Sequence, residues 1–175
     1  SQRPSKVIYD RKYSAIGMAS REDFDWDKIL TDTVWFHFTG ITPALGDNVA
    51  EICLDAVKAC RAKGIKISCD LNFRKNLWTS EKAGKVMGEL MQYVNVCIAN
   101  EEDADKVFGI KPDHNDVDSG KLNREGYIDV AKKLSERFGC EKVAITLRES
   151  ISANDNNWAA MLYDGEKAYF SKKYA

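Results

Sequence analysis

The sequence predicts an α/β fold in which the strands of a parallel sheet alternate with helices. Short runs rich in β-branched and aromatic residues are typical of buried strands, and amphipathic segments with apolar residues at helical spacing separate them. The strand-like runs are residues 33–38, 65–69, 94–99 and 142–147. The helix-like segments are residues 47–63, 80–93, 100–109 and 124–138. This alternation indicates right-handed βαβ crossovers, and therefore a parallel sheet in one α/β domain over residues 1–175.

The two ends of the chain carry shorter elements. Alternating residues within 7–15 predict one or two short strands, which places residues 1–20 apart from an α/β core of residues 21–175. The remaining predicted elements are a short helix over 25–30 and a hairpin of 158–163 and 167–170 that turns at Asp164-Gly165.

Composition excludes several classes of protein. With 175 residues, 44% of them hydrophobic and 30% charged, the chain can build one good core. A net charge of -1 argues against a general nucleic-acid binder, because no basic excess is available to neutralise phosphates. Five dispersed cysteines without a CxxC pair are typical of reduced thiols in a cytoplasmic protein. No signal peptide or membrane span is visible, and two histidines are too few for a histidine-based metal site.

A polar segment directly follows the second predicted strand. Asp70, Asn72 and Arg74 alternate, so they share one face if the chain stays extended. Ligands of open α/β sheets bind outside the carboxyl ends of the strands, and the planar fork of arginine suits a carboxylate or a phosphate. A binding edge is one interpretation. The other is a polar turn in which Asp70 and Asn72 bond to backbone amides while Arg74 is solvated.

Two further strand ends carry polar groups. Asn100 stands at the expected N-cap of a helix with Asp103 one turn later, and capping alone would explain both. Thr146 and Arg148 end the fourth predicted strand. No glycine-rich phosphate loop and no Gly-x-Ser-x-Gly nucleophile motif occurs in the sequence.

Several motifs together resemble a known family. Asp-x-Asn-x-Arg-x-x-Leu-Trp at 70–78, Asn-Glu-Glu-Asp at 100–103 and Val-Ala-Ile-Thr-Leu-Arg-Glu-Ser at 143–150 resemble the central part of a ribokinase-like (PfkB) sugar kinase. Tyr-Asp-Arg-Lys-Tyr-Ser-Ala at 9–15 and Phe-Thr-Gly-Ile at 38–41 are similar, more narrowly, to 2-keto-3-deoxygluconate kinases. The resemblance covers essentially the whole chain.

This resemblance implies a fold, an activity and a set of site residues. The fold is a three-layer αβα, Rossmann-like sheet in which residues 1–20 supply lid strands. The activity is ATP-dependent phosphorylation of a sugar acid in the presence of Mg²⁺. Arg74 would be catalytic and would bind substrate. The other implied roles are sugar-acid contacts for Tyr9 and Arg11, nucleotide contacts for Asn100 and Thr146, and a water-mediated metal contact for Asp103.

The sequence also departs from the family pattern. Asp103 replaces the glutamate of the Asn-x-x-Glu motif, and Arg148 stands where relatives often have glycine. The N-terminal glycine pair and the Gly-Ala-Gly-Asp element, which supplies the anion hole and the aspartate base, are absent. We therefore expect a central fragment of a longer kinase, inactive alone, with its catalytic base outside this chain and a homo-oligomer contact through the lid strands. Alternatives are another sugar kinase, such as a fructokinase or ribokinase, and a non-catalytic ligand-binding α/β module.

Overall fold

A six-stranded sheet forms the centre of the molecule. The computed structural model describes residues 9–11, 13–113, 122–150 and 156–174. The strands are β1 (Trp35–Thr39), β2 (Lys66–Asp70), β3 (Val96–Ala99), β4 (Lys142–Ser150), β5 (Asn156–Tyr163) and β6 (Ala168–Phe170). They lie in the order β1-β2-β3-β4-β5-β6. Strands β1 to β4 are parallel, β5 is antiparallel to β4, and β6 is antiparallel to β5. The predicted α/β class, the four parallel strands and the C-terminal hairpin are confirmed.

Five α-helices lie in the described residues. They are α1 (Trp26–Ile29), α2 (Asp47–Ala62), α3 (Ser80–Leu90), α4 (Glu101–Phe108) and α5 (Leu122–Phe138). Each predicted helix is present, and α3 ends three residues early because Met91–Tyr93 tighten into a 3₁₀ turn. Among the helices that the structure describes, none has the length and apolar character needed to cross a membrane.

The helices pack on one face of the sheet. Parallel strands in sequential order, joined by right-handed crossovers, place all their connecting helices on the same side. The strand residues on that side are buried with the apolar stripes of the helices, as Phe38, Ile67 and Ile145 illustrate. The opposite face is open: Trp35 is 52% exposed and Leu162 37% exposed. The described residues thus form two layers, and the third layer of the predicted αβα architecture is not among them.

The N-terminal segment differs from the expected strands. The predicted strand at Tyr13–Ala15 is wrong, because the described chain forms a turn there and then a 3₁₀ helix over Ile16–Met18. Ser14 drives this turn: its Oγ donates to Arg11 O at 2.8 Å and accepts from Gly17 N at 3.2 Å. Residues 1–8 and 12 lie outside the described residues, and the expected oligomer contact through this segment stays a prediction.

A close backbone contact joins the ends of β1 and β2. Gly40, directly after β1, donates its N–H to Asp70 O at 2.8 Å. A Cβ atom at position 40 would lie only 2.1 Å from Leu71 O, a distance that no real side chain tolerates. Glycine therefore allows the two strand exits to touch, and this explains a glycine in the Phe-Thr-Gly-Ile segment.

We predict that Gly40→Ala destabilises the protein by about 2 kcal/mol or more, because overpacking against a fixed backbone costs at least that order. The melting temperature should fall by roughly 4–8 °C for a chain of this size. Gly88→Ala is the matched control, since nothing lies within 4 Å of a Cβ at that position inside α3. Alanine there should raise stability by up to about 1 kcal/mol. Equal melting temperatures for the two variants would contradict this interpretation.

Candidate functional site

The candidate site lies where three neighbouring parallel strands end. Thr39 is the last residue of β1 and pairs in register with Asp70, the last residue of β2. Asp70 in turn is in register with Ile98 of β3, so Asn100 follows only two residues later. Carboxyl ends of parallel strands meet at one edge of the sheet. Asp70 and Asn100 therefore come together here as predicted, and Thr39 joins them.

The segment after β2 turns sharply instead of staying extended. Asn72 has a φ of 40°, in the left-handed region that asparagine tolerates better than most residues. Its N–H donates to Asp70 Oδ1, and its Nδ2 donates to Thr39 Oγ1, both at 3.1 Å. The expectation that Asp70, Asn72 and Arg74 share a face of an extended chain is therefore wrong. The polar-turn interpretation is correct for Asp70, whose carboxylate accepts from a backbone amide. It is wrong for Asn72, whose side chain instead bonds to Thr39 at the end of the neighbouring strand.

The start of α4 provides the second group of contacts. Asn100 caps the helix, with Oδ1 accepting from Asp103 N at 2.6 Å, as the sequence predicts. The Asp103 side chain does not point into solvent: the residue is 6% exposed and Oδ1 accepts from Phe73 N at 3.3 Å. Asp103 thus bonds to the loop that leaves β2, which simple capping would not require.

Arg74 projects from this loop into an open cavity. Its side chain is exposed, and its Nη1 donates to Phe73 O at 2.9 Å. Among the described residues no carboxylate forms an ion pair with it within 4 Å. The cavity has a volume of about 610 Å³ and also contains Asn100 and Asp103 in its lining. A guanidinium without an acidic partner, beside a cavity of this size, is available for an anionic ligand.

Burial dominates the electrostatics of the two aspartates. Loss of hydration raises the pKa of the Asp103 carboxyl to about 6, against the opposing hydrogen bond from Phe73 N. The neighbouring Asp70 carboxylate raises the pKa of Asp103 further, while the charge of Arg74 lowers it. Burial likewise raises the pKa of Asp70, against the hydrogen bond from Asn72 N. The site therefore holds two partly desolvated carboxylates with one nearby arginine.

The oxygen atoms of this cluster suit a hard cation. In the residues that the structure describes, no group of three or more His, Cys, Asp or Glu side chains is arranged to hold a metal ion. Mg²⁺ usually keeps several waters and takes one or two carboxylates together with substrate phosphates. Asp70 and Asp103 therefore fit a magnesium ion that binds with a nucleotide, and a preformed protein cage is not required.

The other predicted site residues lie in separate places. Thr146 is exposed on the open face of the sheet, where its Oγ1 lies 3.5 Å from Ala99 O. Tyr9 and Arg11 lie beside each other, with the Arg11 guanidinium 4.2 Å from the centre of the Tyr9 ring. Their described contacts are with each other and with Ser14. The side chain of Arg148 lies outside the described part of the structure.

Sequence reasoning missed two residues of the site. Thr39 follows the predicted strand 33–38 and was named only within the Phe-Thr-Gly-Ile motif, yet its hydroxyl accepts a hydrogen bond from Asn72 Nδ2. Trp78 lines the cavity with its indole Nε1 buried and without a partner among the described residues. The signal for Thr39 was its place at a strand end beside the Asp70 strand. Nothing in the sequence indicates that the Trp78 nitrogen lacks a partner.

Comparisons with known proteins agree with the fold. No protein-family model matches the chain. The chain is similar to a 2-dehydro-3-deoxygluconokinase of Thermotoga maritima, with 51% identity and a TM-score of 0.90 over 99% of this chain and 51% of that one. It is 27% identical, with a TM-score of 0.82, to a PfkB family carbohydrate kinase from Listeria grayi, over 97% of this chain and 49% of that one. It is also 32% identical over 147 residues to the 2-dehydro-3-deoxygalactonokinase of Haloferax volcanii, which is 84% of this chain and 42% of that protein.

This chain belongs to the PfkB family of ribokinase-like carbohydrate kinases. It spans about half the length of the relatives it matches. A more distant structure, a Ribokinase II from E. coli in complex with ATP and Mg²⁺, shares the fold with a TM-score of 0.68 at 20% identity, over 96% of this chain and 46% of that one. The ATP and Mg²⁺ belong to that structure. In this PfkB chain the Asn-x-x-Glu motif reads Asn100-Glu-Glu-Asp103.

The raised pKa of Asp103 predicts a stability that depends on pH. Its pKa is about 6 in the folded chain and near 3.8 when unfolded, so between these values the native state holds more protons. Stability from this group therefore rises as pH falls from 7 towards 4. Each unit between the two pKa values corresponds to about 1.4 kcal/mol, which gives at most about 3 kcal/mol.

Asp103→Asn removes this titration, so the variant should gain stability relative to the parent chain at pH 7.5 and lose that advantage by pH 4.5. Urea unfolding at both pH values measures the difference. Asp105→Asn is the control, because it removes a carboxylate from the same helix that pairs instead with Lys111 at 3.5 Å. A stability difference between Asp103→Asn and the parent that does not change with pH would contradict the buried-carboxylate assignment.

Proposed function

We propose that the kinase carrying this chain transfers the terminal phosphoryl group of ATP to a sugar acid, converting 2-keto-3-deoxygluconate to its 6-phosphate. The observation that carries the proposal is the exposed Arg74 guanidinium, which has no carboxylate partner in the described residues and opens into the cavity at the strand ends. A sugar acid offers this cation a carboxylate. Similarity to the Thermotoga maritima 2-dehydro-3-deoxygluconokinase supports the choice of substrate.

The proposal assigns the following roles to the site residues. Arg74 binds the carboxylate of the sugar acid or the phosphoryl group during transfer, where a fixed positive charge stabilises developing negative charge. Asn100 and Thr146 contact the nucleotide. Asp103 would help to hold Mg²⁺ through water with its second carboxylate oxygen, since Oδ1 is engaged by Phe73 N. Mg²⁺, when bound, would neutralise phosphate charge.

Tyr9 and Arg11 are proposed to contact the sugar acid from the lid side, that is, from residues 1–20. The stacked pair presents a phenol and a guanidinium together, which suits a hydroxyl and a carboxylate of one ligand. The catalytic base is proposed to lie outside this chain, because no Gly-x-Gly-Asp segment occurs in its sequence. Kinetic tests therefore use a full-length kinase that carries the chain. A defined version is a chimera in which this chain replaces the matching half of the Thermotoga maritima kinase.

In such a full-length kinase, Arg74→Ala should lower kcat/KM for 2-keto-3-deoxygluconate by about 100-fold, the scale for loss of one charge-stabilising donor. Arg74→Lys should restore only part of the activity, because a point charge cannot replace the planar fork. Steady-state kinetics with ATP saturating measure both.

Arg61→Ala is the matched control for Arg74→Ala. Arg61 is also an exposed arginine that donates to a main-chain carbonyl, Gln92 O at 3.0 Å, but it extends from α2. Its replacement should leave kcat/KM within threefold. If Arg74→Ala is equally mild, Arg74 is a solvated turn residue and the proposed substrate contact is wrong.

Arg11→Ala should reduce the preference of the enzyme for acidic sugars. Charge-assisted hydrogen bonds contribute about 1.5–3 kcal/mol, so the preference for 2-keto-3-deoxygluconate over fructose or ribose should fall roughly tenfold to 100-fold. The ratio of kcat/KM values for acid and neutral sugars, in parent and variant, tests this. Arg21→Ala is the control, since Arg21 lies in the same N-terminal region and pairs with Asp55 at 2.6 Å. A parent enzyme that prefers fructose or ribose would refute the sugar-acid proposal.

A further inference from the structure

The loop between β2 and α3 has little secondary structure of its own, yet it carries Arg74. Two side chains outside the loop accept hydrogen bonds from it: Thr39 at the end of β1 and Asp103 in the first turn of α4. On one side Asn72, strained at a φ of 40°, donates to Thr39 Oγ1. On the other side Phe73 N donates to Asp103 Oδ1. The loop is thus held between the end of β1 and the first turn of α4.

Phe73 connects these contacts to the arginine. Its N–H is bound by Asp103, while its C=O accepts from Arg74 Nη1 at 2.9 Å. Asp103 is itself fixed, because its N–H is bound by Asn100 Oδ1 at 2.6 Å. A continuous series of three hydrogen bonds therefore runs from the helix cap, through the main chain of Phe73, to the guanidinium.

We propose that Asp103 is a positioning residue for Arg74, acting through its hydrogen bond to Phe73 N. Without this bond the loop is held only by the bonds of Asn72 to Asp70 and Thr39, and the exposed arginine samples a wider range of positions over the cavity. This role needs only an acceptor oxygen at Oδ1. It is therefore separable from any role of the negative charge, which Asp103→Asn removes while the acceptor remains.

The proposal rests on the proposed sugar acid kinase activity for its kinetic test, but its first test needs no activity. Amide hydrogen exchange of Phe73 is measured in the 175-residue chain. Asp103→Ala should speed the exchange of this amide at least about tenfold, and Asp103→Asn should change it far less. Asp105→Ala, on the same helix but paired with Lys111, should have no effect at Phe73.

The kinetic test compares alanine and asparagine at position 103 in the full-length kinase. Both variants lack the carboxylate charge, so any contribution of that charge to Mg²⁺ or nucleotide cancels in their ratio. With Arg74 present, Asp103→Asn should have a kcat/KM for the sugar acid about tenfold higher than Asp103→Ala. With Arg74→Ala in both backgrounds, the ratio should be close to one, because nothing remains to be positioned.

The outcomes separate the two hypotheses. Equal exchange at Phe73 in Asp103→Ala and Asp103→Asn would overturn the positioning role whatever the enzyme does. A tenfold ratio that persists in the Arg74→Ala background would also overturn it, since the effect would then reach the substrate by another route. Faster exchange in Asp103→Ala, combined with a kinase that does not phosphorylate sugar acids, would support the hydrogen-bond series and refute the proposed substrate.

Discussion

The contact between Gly40 and the Leu71 carbonyl is the constraint on which the site depends. It brings the end of β1 against the exit of β2, closer than any residue with a Cβ allows. The hydrogen bond from Gly40 N to Asp70 O fixes the two exits in register. Only at this separation does the Thr39 hydroxyl reach the amide of Asn72, and that bond helps to hold an asparagine in the left-handed conformation. The turn then sends Arg74 outwards over the cavity instead of along the sheet.

The fold was predictable because burial imposes a period on the sequence. In α2, for example, the buried residues recur at helical spacing, and the structure places the helix at Asp47–Ala62, one residue from the expected end. The alternation near Tyr13 was misleading, since it does not arise from a sheet: Ser14 satisfies local backbone groups and closes a turn. The exposure of one sheet face also could not be predicted from the hydrophobic pattern of the strands. Parallel strands are normally buried on both sides, so their apolar residues read the same whether or not a second layer is present.

The site was only partly predictable, and sequence separation explains the division. The cap formed by Asn100 involves a residue three positions away, and a local rule finds it. The bonds from Asn72 to Thr39 and from Phe73 to Asp103 join residues 33 and 30 positions apart. No spacing rule links such pairs, because they depend on strand order and on where each strand ends. The same holds for Asp103, which replaces the glutamate of the motif and accepts a hydrogen bond from the main chain of Phe73 that no local rule indicates.

The positive charge of Arg74 interacts both with the two buried carboxylates and with any anionic ligand in the cavity. Its charge lowers the pKa of Asp103 and, together with His37, the pKa of Asp70, while burial raises both. It is also the group best placed to receive an anionic ligand from the cavity. When a bound anion neutralises the guanidinium charge, the positive charge of Arg74 stabilises the two ionised carboxylates less, and their pKa values rise further. A second cation near the carboxylates relieves that cost. Binding of an anionic sugar and binding of a divalent cation should therefore favour each other at this edge of the sheet, through electrostatics alone and without any conformational change.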